Sequence, residues 1–154
     1  MAQYARPDSD ITTNSWAPST GATLYGVIDE ESYSDADYIQ RNDVAYCEVG
    51  LSSVTDPVSS ADHVVRYRYG RSATNRTLTL VVRLMQGASE IASQTHVDPS
   101  ASFVAGSFTL SSGEADSITD YTDLRLRFDI TAIQNSQTYG QVSWAELEVP
   151  DATV

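Results

Sequence analysis

Four stretches of the chain alternate apolar and polar residues with a period of two, the spacing that sends successive side chains to opposite faces of a sheet. Val65, Tyr67 and Tyr69 alternate with Arg66 and Arg68, and Leu78, Leu80, Val82 and Leu84 alternate mainly with Thr77, Thr79 and Arg83. Leu124, Leu126, Phe128 and Ile130 alternate with Arg125, Arg127 and Asp129, while Ala45, Cys47, Val49 and Leu51 alternate with Tyr46 and Glu48. Each predicts a strand with one face in a core and the other in water. A fifth run, Val142 to Pro150, closes the pattern. Its apolar phase moves between Trp144 and Ala145, which predicts a bulge or burial on both faces. A closing strand that carries a Trp must pair inside a sheet, so the first and last strands are expected to be neighbours.

Weaker strand patterns lie at Leu24 to Ile28, Tyr38 to Arg41, Glu90 to Val97 and Val104 to Leu110. Turn residues separate them at Thr55-Asp56-Pro57, Gln86-Gly87, Asp98-Pro99 and Ser112-Gly113, and Arg83 to Thr95 across Gln86-Gly87 predicts a hairpin. The total is about nine or ten strands, enough for two packed sheets and a single jelly-roll β-sandwich of the all-β class. One short helical turn is expected near 112–120, capped by Ser112, with Glu114, Ala115 and Asp116 in its first turn and Ile118 facing inward. The chain therefore divides into an N-terminal arm (1–15), the sandwich (16–150) and a C-terminal tail (151–154). The polar, unpatterned ends are expected to order only against a partner.

A length of 154 residues suits one domain, in which roughly 68–70% of the unfolded surface can be buried without staples. Cys47 has no second cysteine to bond and falls in phase with its strand's apolar face, which predicts a buried thiol. No early stretch combines a basic start with an apolar run, so neither a signal peptide nor a membrane span is expected and synthesis is placed in a cytoplasm. The formal charge is −12, and all nine basic residues are arginine. Nucleic-acid affinity depends on neutralising phosphates, so this balance argues against DNA or RNA as a partner and in favour of a well-solvated surface.

Hydrolytic and phosphate-binding signatures are missing: there is no Gly-x-Ser-x-Gly elbow, no P-loop, and no companion histidine placed for Cys47. His63 and His96 lie in separate strands, without other ligands at zinc spacing. The Asn75-Arg76-Thr77 sequon has no secretory context. The densest polar run holds Asp29, Glu30, Glu31, Asp35 and Asp37, and from it Asp29, Asp35 and Asp37 are the candidate calcium ligands; no other cofactor is called for. Glu146 and Glu148 share a strand face, the kind of carboxylate pair that can hydrolyse glycosides, but acidic sandwiches carry such pairs without any activity. A non-enzymatic role is expected. Trp16, Tyr25, Tyr33 and Tyr38 cluster early in the chain and are the candidate contacts to a glycan or a protein partner, since exposed rings stack on apolar faces.

Several segments taken in order resemble a known group. These are Leu24 to Ile28 with Asp29-Glu30, Ser34 to Ile39, Tyr46 to Leu51, Thr55-Asp56-Pro57, His63 to Arg68, Leu78 to Leu84, Glu114 to Phe128, and Val142 to Pro150. Over residues 16–150 they are similar to small jelly-roll proteins encoded in the structural gene clusters of tailed bacteriophages. The resemblance implies a virion component: a cement or decoration protein on the capsid exterior, with the major capsid protein or other virion proteins as partners; a homo-oligomer is open to it, but the residues specify no oligomeric state. It carries over no catalytic residue. The same fold resembles galactose-binding-like carbohydrate modules, which implies as the alternative a tail or fibre module that binds glycans.

Overall fold

The computed structural model describes residues 1–152. Two antiparallel sheets face one another, built from β1 (Gln3–Ala5), β2 (Pro7–Thr12), β3 (Ala17–Pro18), β4 (Ile39–Arg41), β5 (Ala45–Leu51), β6 (Val64–Arg71), β7 (Leu78–Gln86), β8 (Ser89–Val97), β9 (Val104–Thr109), β10 (Leu124–Ile133) and β11 (Gly140–Val149). Sheet I runs β3-β4-β11-β6-β9, with β1 also on β11, and sheet II runs β2-β5-β10-β7-β8. The protein is an all-β sandwich. The inward residues of the alternating strands, among them Val65, Tyr67, Leu80, Leu84, Cys47, Leu126 and Phe128, are fully buried and form one continuous core. Burial pushes the Cys47 thiol well above its ordinary pKa, so it stays a packed, un-ionised group. No helix among the described residues is long and apolar enough to cross a membrane.

The arm expected over 1–15 is instead part of both sheets. Gln3 to Ala5 pairs with Val149 to Leu147, and Pro7 to Thr12 pairs with Leu51 to Glu48. These strands escape a pattern search because they are short and polar, and their order comes from the ladder bonds of the strands they join. The first and last strands are neighbours, through β1 and β11. Of the tail, Asp151 pairs with the N-terminal ammonium at 2.7 Å, while residues 153 and 154 lie outside the described residues.

Leu24 to Ile28 does not form the expected strand. Asp10 on β2 accepts the N–H groups of Leu24 and Tyr25, both at 2.9 Å, and the chain tightens into a 3-10 turn over Tyr25–Val27. Leu24, Val27 and Ile28 are buried there, filling the edge of the sandwich between the stretches of β11 that β4 and β1 cover. The helical turn is present as α1 (Ser112–Asp116), and its cap is Ser111 rather than Ser112: Ser111 and Glu114 bond each other's backbone reciprocally. The β11 irregularity falls between Val142 and Trp144, one step before its expected place.

The alternating arginines explain how so acidic a chain carries nine cations without a cationic patch. On sheet II, Arg125 and Arg127 both reach the buried carboxylate of Glu48, at 3.1 and 2.6 Å, and Arg83 bridges Asp129 and Glu90. On sheet I, Arg6 and Arg66 hold Glu146, and Arg66 also holds Glu148. The exposed pairs contribute about 0–1 kcal/mol each, and those on the buried Glu48 and Glu146 lose much of their attraction to desolvation, against about 1.5–3 for a buried Leu, Ile or Phe, so the inward faces rather than the ion pairs hold the sheets together.

Candidate functional site

One end of the sandwich is cleft. The loop between β5 and β6 and the loop from α1 to β10 stand apart over a recess of about 580 Å³, lined by Gln3, Ser53, Thr55, Asp56, Thr119, Asp120 and Tyr121 among others. A second recess of about 360 Å³ continues past Asp56 and Tyr121 along Val58, Ser59 and Asp116. Two glutamines fix the walls. Gln3 on β1 donates to the Thr55 carbonyl at 2.8 Å and accepts the Thr55 N–H at 2.9 Å. Gln86, at the end of β7, accepts the N–H groups of Thr119 and Asp120 at 2.8 and 2.9 Å. Side chains from the sheets thus satisfy backbone groups of Thr55, Thr119 and Asp120, while the Thr119 hydroxyl accepts from Gln86 and the Thr122 hydroxyl donates to Asp120.

Tyr121 forms the floor and is only 6% exposed. Its hydroxyl lies 2.7 Å from His63 Nε2, while His63 Nδ1 lies 2.8 Å from the Ala61 carbonyl. A carbonyl can only accept, so Nδ1 carries a proton and, in the neutral ring, Nε2 accepts from Tyr121. Burial first, then the charges of Asp56 and Asp116, push the Tyr121 hydroxyl up to about 12, which keeps it protonated against the buried His63. Asp56 and Asp120 each spend one oxygen on a nearby N–H, Val58 and Thr122 respectively. Among the described residues lining the two recesses there are three carboxylates and no cation.

The sequence candidates lie elsewhere: Tyr33, Asp35 and, through Phe103, Tyr38 gather around Arg68, while Trp16 and Tyr25 stand apart from them. Trp16 is a core residue at 3% exposure, its indole N–H donating to the Ala45 carbonyl at 3.2 Å, and Tyr25 packs against the core from the 3-10 turn. The Trp16 ring is enclosed and offers no platform, whereas Tyr25 is half-buried. Tyr33 is 55% exposed on the outer side of sheet I, with the Arg68 guanidinium 4.0 Å from its ring centre and Trp144 at 6.3 Å. Tyr38 stacks on Phe103 at 5.7 Å. The residues that line the end cleft, Asp56 in one turn and Thr119 to Thr122 in another, have no period in the sequence, because the two loops meet only through the fold.

The three calcium candidates are not gathered into a site. Arg68 grips Asp35 with two bonds, at 2.9 and 2.8 Å, and Ser143 donates to it at 2.7 Å. That guanidinium holds the Asp35 carboxyl below its usual range, so the group is already spent. Asp29 and Asp37 instead stand near Glu30, whose carboxyl is raised by burial first and by those two charges after it. Among the described residues no group of three or more His, Cys, Asp or Glu is arranged to hold a metal ion. Glu146 and Glu148, for their part, are taken by Arg6 and Arg66.

No protein-family model matches the sequence, and no curated protein matches it. Among solved structures the chain is similar to the CBM36-1 domain of a multidomain xylanase from the hindgut metagenome of Trinervitermes trinervoides, with 11% identity across the whole of both chains and a TM-score of 0.49. It is similar also to a carbohydrate-binding module CBM36 in complex with calcium and xylotriose, with 12% identity over 91% of this chain and 98% of that one and a TM-score of 0.45. A third likeness, to an arabinose-bound α-L-arabinofuranosidase, has 14% identity over 93% of this chain and a TM-score of 0.50, and it takes up 25% of that enzyme. At such identities this last likeness is one of β-sandwich fold alone.

Proposed function

We propose that the domain is a non-catalytic glycan-binding module whose sugar lies in the end cleft. The observation that carries this is the cleft itself: about 580 Å³, inside the usual range for a small-ligand site, and lined by hydroxyls and half-used carboxylates on walls stapled by Gln3 and Gln86. Carboxylate oxygens with one lone-pair side free suit the vicinal hydroxyls of a sugar, and charge-assisted bonds of this kind are the stronger ones. With Asp56, Asp116 and Asp120 around it and no cation, the cleft favours neutral or amino sugars over acidic ones. The N-terminal residues expected to order only against a partner are already paired within the domain, at 3–5 and 7–12, which leaves them no free clamp for a capsid.

The test is a glycan array followed by titration calorimetry on the hits. Asp56→Asn keeps the turn-forming oxygen but removes the charge, and should weaken binding about tenfold, or 1.4 kcal/mol. Ser53→Trp, at an exposed wall position, should block binding without loss of fold. Failure to bind any neutral or amino glycan at millimolar concentration overturns the reading. Binding that survives Ser53→Trp but is lost in Tyr33→Ala would move the site to the outer face of sheet I.

A further inference from the structure

The edge strand β8 is nine residues long and pairs on one side only, with β7. Its phase follows from one bond. The Asp98 N–H donates to the Leu78 carbonyl at 2.7 Å, so in an antiparallel ladder the bonded pairs continue as Leu80 with His96 and Val82 with Gln94. Ser93, Thr95 and Val97 therefore turn their N–H and C=O groups away from β7, and among the described residues no strand pairs with that side. Natural edges of this length are usually guarded by Pro, Lys, inward charge or a covering loop. This one has no Pro and no Lys, and its outward side chains are Ser93, Thr95 and a Val97 that is 70% exposed.

We infer that β8 is a self-association surface, and that its occupant is β8 of a second copy running antiparallel, which joins two five-stranded sheets into one across a two-fold axis. Charge selects both the place and the partner. Two chains of −12 repel wherever acidic faces meet, yet along β8 the lone acidic residue, Glu90, is held by Arg83 at 2.8 Å, and Asp98 just beyond is held by Arg71 at 3.3 Å. A two-fold axis needs a self-complementary strip. Setting Ser93 opposite Thr95 of the second copy matches outward backbone groups to outward backbone groups, and brings Val97 towards the half-buried Ile91 of the other chain.

Sedimentation velocity across a concentration series tests this on the whole chain. The unaltered protein should show a monomer–dimer equilibrium. Thr95→Pro should abolish the dimer at every concentration with an unchanged monomer melting midpoint, because the N–H it removes bonds nothing within the monomer. A second readout needs no variant: exchange of the Thr95 and Val97 amides should slow as concentration rises, while Gln94 and His96 stay protected throughout. A chain that remains monomeric up to about millimolar concentration, a Thr95→Pro dimer, or Thr95 exchange independent of concentration would each overturn the proposal.

Discussion

The two long edges of the sandwich are closed by different means. On the β11 side the chain itself does the work: residues 24–28 tuck into the core, Asp10 caps two of their N–H groups, and the Ile28 carbonyl accepts the Ala145 N–H at 3.3 Å. On the β8–β9 side residues 98–103 carry the chain from one sheet to the other and α1 packs on β8, but the middle of the gap is spanned by side chains. Tyr67, wholly buried from sheet I, puts its hydroxyl 2.6 Å from His96 Nε2 on sheet II, and Tyr69 lies against the His96 ring with 3.9 Å between centres. Backbone closure consumes the polar groups of the edge. Side-chain closure leaves them free, which is why the unpaired ladder of β8 lies on that side.

The largest expected effect is at Trp16, which stands just before β3 of sheet I and bonds the Ala45 carbonyl at the start of β5 in sheet II. Trp16→Ala should cost about 3–5 kcal/mol and lower the melting midpoint accordingly, measured by chemical denaturation, since a buried indole and its bond to Ala45 disappear together. Asp10→Ala comes next. It strips the acceptor from two part-buried N–H groups, each costing about 1–3 kcal/mol, and Asp10→Asn should recover part of the loss by supplying one oxygen. A loss no larger than a surface substitution would show that the 3-10 turn stands without its cap.

At the open edge the corresponding probe is steric. Gly106 on β9 faces the aromatic cluster, and a Cβ there would run into Tyr67 Cε2 and lie 2.8 Å from Tyr69 Cε1. Gly106→Ala should cost about 1–3 kcal/mol if the rings are held as firmly as the backbone on the other side. A neutral result would mean that the cluster yields, and that side-chain closure is the softer of the two.

How far each edge can be read from sequence differs in the same way. The strands that build the open side, β6, β7 and β10, alternate cleanly because each buries one whole face, and β8 follows from the Gln86-Gly87 turn. The closed side hides itself. Pro7 to Thr12 has no apolar stripe, Leu24 to Ile28 looks like a strand until Asp10 reaches across, and Trp16 looks like a free ring because nothing local reveals that Ala45 waits for its N–H. The cleft shares this difficulty, since Gln3 and Gln86 organise loops more than thirty residues away and no local spacing encodes such a contact.

The smallest and most selective test uses acid. A neutral imidazole shares a hydrogen bond with the Tyr67 hydroxyl through Nε2, and burial raises the Tyr67 pKa far enough that this hydroxyl keeps its proton throughout the working range. Burial likewise lowers the His96 pKa below 6.5. The unfolded chain therefore binds a proton at His96 at a higher pH than the folded chain does. Its contribution is complete above about pH 6.5, the unfolded value, and is lost as the pH falls through the lower folded value. Denaturation curves between pH 7 and 5 should show a decline in stability from this group in the wild type, with a shallower slope in His96→Gln. The closed edge contributes nothing to that difference, because neither Trp16 nor the 24–28 turn carries a histidine. Equal slopes in the two proteins would mean that His96 meets water freely, and that the open edge is closed by packing of Tyr67 and Tyr69 without the hydrogen bond across it.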